Sequence, residues 1–187
     1  MTYNANGGTN APSSTSATQL WNQNGNVYNT TGLTITSSVP KRDGYTFLGW
    51  ATSSTAASVR YKSGDTYSFT YSTANSDILY AVWEANTYYV KFNGNGSTSG
   101  SMSNQTFTYD KAQNLTVNAF ARTGYTFAGW ATSANGTVAY VDKASVKNLT
   151  TTDGATVNLY AKWNVVTYTI TYNGNGGSSP SSLSYNI

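Results

Sequence analysis

Short stretches in which apolar and polar residues alternate run along the chain, separated by clusters of Asn, Gly and Ser. Residues 105–109 alternate in this way, and so do residues 157–163, in which Leu159, Ala161 and Trp163 share one face. A period of two is typical of half-buried β-strands. The pattern predicts strands at 88–92, 105–109, 125–132, 138–141 and 157–163, and therefore a mainly β chain, α+β at most.

One stretch has a different spacing. Between Ala144 and Leu149, the apolar positions Val146 and Leu149 lie three residues apart, which suits a single helical turn. We therefore expect one short helical piece in each repeating unit. Residues 114–117 fit either a short strand or a turn of helix.

Three sequence elements recur at one offset of 80 residues. The segment from Gly44 to Ser53 returns as Gly124 to Ser133 with nine of ten positions identical. The other two elements are Leu79–Trp83 with Leu159–Trp163, and Tyr88–Gly96 with Tyr168–Gly176; the latter also appears in shortened form at residues 2–8. A shared offset indicates tandem structural repeats.

The offset predicts the boundaries. Repeat one covers residues 1–85, begins inside its first strand and carries an insertion near residues 21–32. Repeat two, 86–165, is complete, and 166–187 start a third, incomplete repeat.

Within the repeats, Leu33–Ile35 is aligned with Leu115–Val117. The stretches 84–86 and 164–166 are interpreted as linkers without Gly or Pro, which predicts a rod-like arrangement of limited swing.

Large apolar residues of the repeated elements are the expected core, because each buried aromatic side chain removes about 150–250 Å² from water. In the two repeats these residues are Phe47, Trp50, Leu79, Trp83, Phe127, Trp130, Leu159 and Trp163. Gly129 interrupts the strand 125–132 and predicts a bulge or a close backbone approach there. Asn93-Gly94-Asn95-Gly96 is read as a structural turn, because it lacks the Lys of a phosphate-binding loop.

Composition removes most catalytic chemistry. The chain has no Cys and no His, and only 9% of its residues are charged. Without these residues, no nucleophile–base pair of the usual kinds and no thiolate or imidazole metal site can be built. The seven acidic residues form no pair that recurs between repeats. We therefore expect a protein that is not an enzyme and that has no catalytic residue, metal ligand or cofactor.

The charge and hydropathy patterns restrict the partners. The net charge of +3 comes from scattered basic residues, so no nucleic-acid-binding stripe is expected. The longest apolar run, Ile78 to Trp83, is too short to span a membrane. Adjacent repeats, a host or community glycan or protein, and a second copy of the chain remain as candidate partners.

Two sets of residues are candidates for contact. Trp21 and Tyr28 lie in the insertion, outside the shared elements, and could stack on a sugar or anchor a protein partner. The strand Tyr168–Tyr172, with Ile170 at its centre, cannot pack alone. It could add to repeat one of a neighbouring molecule, giving head-to-tail chains; the alternatives are an edge strand added to repeat two or a disordered tail. A Lys–Asn isopeptide crosslink is permitted by the composition, but no motif supports it.

The repeated motifs resemble the Listeria–Bacteroides repeat, the B-repeat of listerial internalins. The resemblance rests on Gly124–Trp130, Leu159–Trp163 and Tyr172–Gly177, with counterparts at Gly44–Trp50, Leu79–Trp83 and Tyr3–Gly8. It covers nearly the whole chain except the insertion. One departure is Phe120–Thr123, which lacks the Pro found at Pro40.

The resemblance implies tandem β-grasp-like, ubiquitin-like repeats in a protein exposed on the bacterial cell surface or attached to the cell wall, without enzymatic activity. The expected function is an extended stalk, or a module that supports adhesion. One alternative is a ligand-binding adhesin module that uses the aromatic residues of the insertion. Another is a filament subunit that assembles by strand exchange of its C-terminal segment.

Overall fold

The computed structural model describes residues 1–16, 32–68 and 77–186. Throughout these ranges the regular elements are β-strands, which confirms the predicted mainly β chain. No helix occurs in the described ranges, and hence none that could cross a membrane. The chain divides into two compact units, Met1–Asn86 and Thr87–Ile187.

The thirteen strands of the described ranges are numbered in chain order. They are β1 (Thr2–Asn4), β2 (Leu33–Thr34), β3 (Tyr45–Ala51), β4 (Thr66–Tyr67), β5 (Ile78–Ala85), β6 (Thr87–Asn93), β7 (Gln105–Thr108), β8 (Gln113–Asn114), β9 (Tyr125–Ala131), β10 (Ser145–Val146), β11 (Thr156–Val165), β12 (Thr167–Ile170) and β13 (Leu183–Asn186).

The second unit is built on a four-stranded mixed sheet in the order β7-β6-β11-β9. The central pair, β6 and β11, runs parallel from Thr156 beside Tyr89 to Tyr160 beside Asn93, and both outer pairs are antiparallel. Alternate residues of these strands face one hydrophobic core. Its buried members are Tyr88, Val90, Phe92, Phe107, Leu115, Trp130, Val146, Leu159 and Ala161.

The first unit repeats the central part of this sheet as β1-β5-β3, with β1 parallel and β3 antiparallel to β5. Its core contains Met1, Tyr3, Ile35, Trp50, Tyr67, Leu79 and Ala81. In each unit, a small two-stranded ribbon closes the core: β2 with β4, and β8 with β10.

These ribbons correct the predicted alignment by two residues. Leu33 pairs with Tyr67 as Gln113 pairs with Val146, so Ile35 corresponds to Leu115. Both of these residues are almost fully buried, and each donates its N–H to the loop before the second ribbon strand. The equivalent positions are therefore identified by one buried aliphatic side chain, Ile35 or Leu115, and not by the similar sequences of Leu33–Ile35 and Leu115–Val117.

The predicted helical piece is wrong for residues 144–149. Ser145 and Val146 form strand β10, and the flanking residues Lys143 and Asn148 have φ values of 57° and 56°, which interrupt any right-handed helix. The strand predicted at 138–141 is also wrong in extent, since only Tyr140 bridges to Trp130.

The stretches interpreted as linkers are the ends of strands. Glu84 and Ala85 belong to β5, opposite Thr46 and Tyr45, and residues 164–165 belong to β11. A single residue, Asn86 or Val166, separates the last strand of each repeat, β5 or β11, from the strand that follows.

The predicted irregularity at Gly129 is confirmed. The pairing of β9 with β11 shifts by one residue beside Gly129, as does the pairing of β3 with β5 beside Gly49. The φ values of these glycines are 141° and 149°, and a Cβ on Gly129 would lie 2.7 Å from the carbonyl oxygen of Tyr140. The bulge therefore depends on glycine at this position.

Candidate functional site

The repeated Asn-Gly turn is held by an asparagine side chain. Asn95 has a left-handed backbone with φ of 45°, and its Nδ2 donates to the carbonyl oxygens of Ala161 at 2.9 Å and Ala134 at 3.0 Å. In the first unit, Asn6 donates in the same way to Ala81 and Ser54. Asparagine suits this position because it tolerates the left-handed region and carries two amide donors.

The two tryptophans of each repeat have different roles. Trp50 and Trp130 are fully buried at the centre of their cores. Trp83 and Trp163 are partly buried, and each donates its Nε1–H to a carbonyl oxygen of the first turn at 2.9–3.0 Å. The tryptophans are thus structural donors and packing groups.

Phenylalanine rings lie between these tryptophans. Phe127 meets Trp130 at a centroid distance of 4.9 Å and Trp163 at 5.6 Å, both edge-on. Phe47 makes the same contacts in the first unit. Leu79 and Leu159, the remaining expected core residues, are fully buried.

A repeated arginine was not recognised from the sequence. The guanidinium of Arg122 lies 3.9 Å from the centroid of the Tyr125 ring, and that of Arg42 lies 3.7 Å from Tyr45. The guanidinium of Arg122 also lies beside the glycine of the Asn-Gly turn, because a Cβ on Gly96 would lie 3.2 Å from Arg122 Nη1. This cation–π arrangement joins the turn to β9. The signal was present, since Arg42 and Arg122 share the 80-residue offset.

Three carboxylates in the described ranges hold backbone N–H groups or pair with a lysine. Asp142 accepts from the N–H of Asn118, and Asp153 accepts from the N–H of Thr87, both at 2.9 Å. Asp110 pairs with Lys147 at 3.1 Å on the surface. Among the residues described, no three potential ligands come together to hold a metal ion.

One tyrosine has a strongly perturbed environment. The hydroxyl of Tyr67 donates to Asp77 Oδ2 at 2.7 Å, and the side chain is buried. Burial, and next the hydrogen bond and charge of Asp77, raise the pKa of Tyr67 to about 12. The contact ties β4 to the residue just before β5, so its role is structural.

The predicted contact residues have different outcomes. Trp21 and Tyr28 lie outside the described residues, so the ligand-binding hypothesis stays a prediction. Tyr168, Ile170 and Tyr172 lie on or directly after β12, which pairs with β13 as an antiparallel hairpin. They are 40, 45 and 39% exposed, whereas their counterparts in β6 are at most 4% exposed.

Comparison with known proteins finds one family that matches the chain twice, once for each of the first two repeats. The Listeria-Bacteroides repeat domain family matches residues 1–82 and 88–162. A protein of Evansella cellulosilytica named "Putative Gly-rich membrane protein" is 32% identical over 148 residues, which are 76% of this chain and 16% of that protein. A second protein of this organism, named "Putative membrane protein", is 29% identical over 135 residues, which are 71% of this chain and 19% of that protein.

The chain therefore spans less than a fifth of the length of either curated relative. No solved structure matches it. The family match covers both copies of the buried tryptophan, the Asn-Gly turn and the stacked arginine described above. The chain belongs to the Listeria-Bacteroides repeat family.

Proposed function

We propose that the chain is a non-catalytic repeat region of a bacterial surface protein and that it serves as a mechanical spacer, supporting adhesion by holding other parts of the protein away from the cell. The observation that carries this proposal is the parallel pairing of the first and last strands of each of the first two repeats, β1 with β5 and β6 with β11. The family and the names of the two much longer relatives support a surface location.

The parallel pairing determines how a unit responds to tension. When force acts at Thr87 and Val165, strands β6 and β11 are pulled past each other along their axes. The five paired positions from Tyr89 to Asn93 are then loaded together, because the two ends of the unit lie at opposite ends of the ladder. An antiparallel hairpin pulled at its open end would break its pairs one at a time.

The side chains give further support. The repeated tryptophans, the turn asparagine and the stacked arginine of the second unit all contact that unit itself. These groups join the first turn to β9 and β11, the elements that a shearing force would separate. The sheet order with its central parallel pair also supports a β-grasp-like assignment, in a form without the helix. The rod-like arrangement stays a prediction.

Single-molecule force spectroscopy tests this proposal. The chain lacks cysteine, so a pair of introduced cysteines defines the two points of attachment. Handles at Thr87→Cys and Val165→Cys load β6 and β11 in shear. Handles at Asn93→Cys and Tyr160→Cys are the matched control, because these residues lie opposite each other at one end of the parallel pair, so the force acts across the strands and peels them apart.

We expect the shear attachment to unfold in one step that lengthens the unit by up to about 280 Å. Its unfolding force should be several-fold higher than that of the peeling attachment. Equal forces for both attachments, or extension without a resolved step, would contradict the mechanical role.

A further inference from the structure

Two segments of the chain have nearly the same sequence and different surroundings. Thr2–Gly8 and Thr171–Gly177 are identical at six of seven positions, and the only difference is Ala5 against Gly174. An apolar residue, Met1 or Ile170, precedes each segment. A strand site that accepts the first sequence should also accept the second.

The first segment, Thr2–Gly8, forms strand pairs, a ring contact and a hydrogen bond within the first unit. Thr2, Tyr3 and Asn4 pair in parallel with residues 78–80 of β5, and the ring of Tyr3 lies 4.8 Å from that of Trp50. The turn that follows accepts the Nε1–H of Trp83 at the carbonyl of Ala5. Glycine fits the position of Ala5, because Gly94 accepts the corresponding bond in the second unit.

The second segment has the same groups without these contacts. Tyr172 corresponds to Tyr3, which is 4% exposed, yet Tyr172 is 39% exposed. Asn175 has the left-handed backbone of Asn6, with φ of 44°, and its side chain is exposed. The described pairing of β12 is with β13 on one side, so the edge that β6 offers to β11 has no strand along it in the described part of the chain.

We propose that residues 170–177 of one molecule, which are the end of β12 and the turn after it, replace residues 1–8 in the first unit of a second molecule. Thr171 then lies beside Ile78 and Tyr172 beside Leu79, in the parallel register that β1 has within its own unit. The Tyr172 ring packs on Trp50, and Asn175 donates to the carbonyls that Asn6 otherwise binds. The partner is therefore a second copy of this chain.

The exchange is balanced in its hydrogen bonds. Residues 1–8 give up three paired positions with β5, and Met1 gives up its two backbone bonds to Thr15. The incoming hairpin restores the pairs with β5 and supplies β13 in place of Thr15, since Ile170 pairs with Leu183. The exchange buries Ile170 and Tyr172, which are 45 and 39% exposed in the hairpin, and in return exposes Met1 and Tyr3, which are 7 and 4% exposed in the first unit.

The contact joins different surfaces of the two molecules, because the donor is the C-terminal hairpin and the acceptor is the first unit. Such heterologous contacts produce open chains or closed rings, and a reciprocal two-fold dimer is the smallest such ring. This inference concerns self-association and does not depend on the mechanical role proposed above.

Sedimentation velocity of the full chain from about 5 to 500 μM tests the association. We expect the mean mass to rise with concentration and Tyr172→Ser to weaken the association about tenfold or more. Tyr89→Ser is the matched control, because Tyr89 is also 39% exposed and lies on the face of β6 away from the core. A monomeric wild-type chain at every concentration would overturn the proposal, and so would equal effects of the two substitutions.

Cysteine crosslinking tests the register. A chain with Thr171→Cys, mixed under mild oxidation with a chain carrying Ile78→Cys, should form a disulfide-linked pair, because these positions become neighbours only on exchange. The control partner carries Thr126→Cys, an exposed position on β9. A yield no higher for Ile78→Cys than for Thr126→Cys would refute the proposed register.

Discussion

The most informative single change is Asn95→Ala, because it removes one side chain that joins three parts of the second unit. Asn95 lies in the turn after β6 and donates to a carbonyl of β11 and to a carbonyl of the loop after β9. Each of these bonds contributes about 1 kcal/mol net. Holding alanine in the left-handed conformation costs about 1–2 kcal/mol more. The free energy of unfolding of the second unit should therefore fall by about 3–4 kcal/mol.

Two further variants separate these contributions. Asn95→Gly removes the amide and retains the backbone conformation, so its cost should be about 2 kcal/mol. Asn175→Ala changes the same kind of turn at nearly the same φ, but in the exposed hairpin. It should leave the second unit's sheet unchanged.

Hydrogen exchange read by mass spectrometry on peptides of β11 is the suitable assay, because it reports the second unit separately from the first. Asn95→Ala should accelerate the slowest exchange by roughly 100-fold or more, at 1.36 kcal/mol per factor of ten. Acceleration below about fivefold would refute the reasoning. Equal acceleration by Asn175→Ala would show that the amide bonds are not its source.

Three other changes have defined outcomes. Trp130→Ala should unfold the second unit, because losing a fully buried tryptophan costs about 3–5 kcal/mol in a small domain, and a wild-type melting point would contradict this. The first unit should lose up to about 2.7 kcal/mol between pH 10 and 12, because the folded pKa of Tyr67 is about 12 and its stabilising contribution disappears above that pH. Asp77→Asn should make this loss smaller and complete it at a lower pH, as urea titrations between about pH 9 and 12 would show. Gly129→Ala should destabilise the second unit by more than 2 kcal/mol in urea titrations, whereas Gly154→Ala, with open space at its Cβ, should cost about 1 kcal/mol.

Repetition made much of the fold predictable. The 80-residue offset located the strands that carry Trp50 and Trp130, and Gly129, directly before Trp130, indicated the bulge that the structure contains. These features are encoded locally, by alternation and by a residue type that one conformation requires. The sequence could therefore predict them without knowledge of distant contacts.

The errors arose where distant partners decide the structure. The spacing of Val146 and Leu149 suits a helix, but the backbone N–H of Leu115 bonds the carbonyl of Ala144 and draws the segment into a ribbon. Glu84 belongs to a strand because Thr46 lies opposite to it, 38 residues earlier (84 − 46). No local pattern reports such a pairing.

The aromatic candidates divided in a similar way. Burial distinguishes Tyr172 from Tyr3 although the residues around them are nearly identical in sequence. Exposure is a property of what packs against a strand, so the sequence could indicate only that both tyrosines suit a core. The arginine stacked on Tyr125 recurs at the 80-residue offset, but that recurrence does not indicate that the guanidinium packs on a ring.

The parallel pairing of first and last strands also has a consequence for biosynthesis. Phe92 and Leu159 are neighbours in the sheet although 67 residues separate them (159 − 92). A nascent chain cannot complete this sheet until β11 has been made, and pairings this distant in sequence fold on the slower millisecond-to-second scale. During that interval, similar strands of successive repeats compete for one acceptor. Tandem units of this kind are therefore exposed to misassembly between neighbours, and sequence divergence between repeats, such as Tyr3 against Phe92, helps to direct each strand to its own sheet.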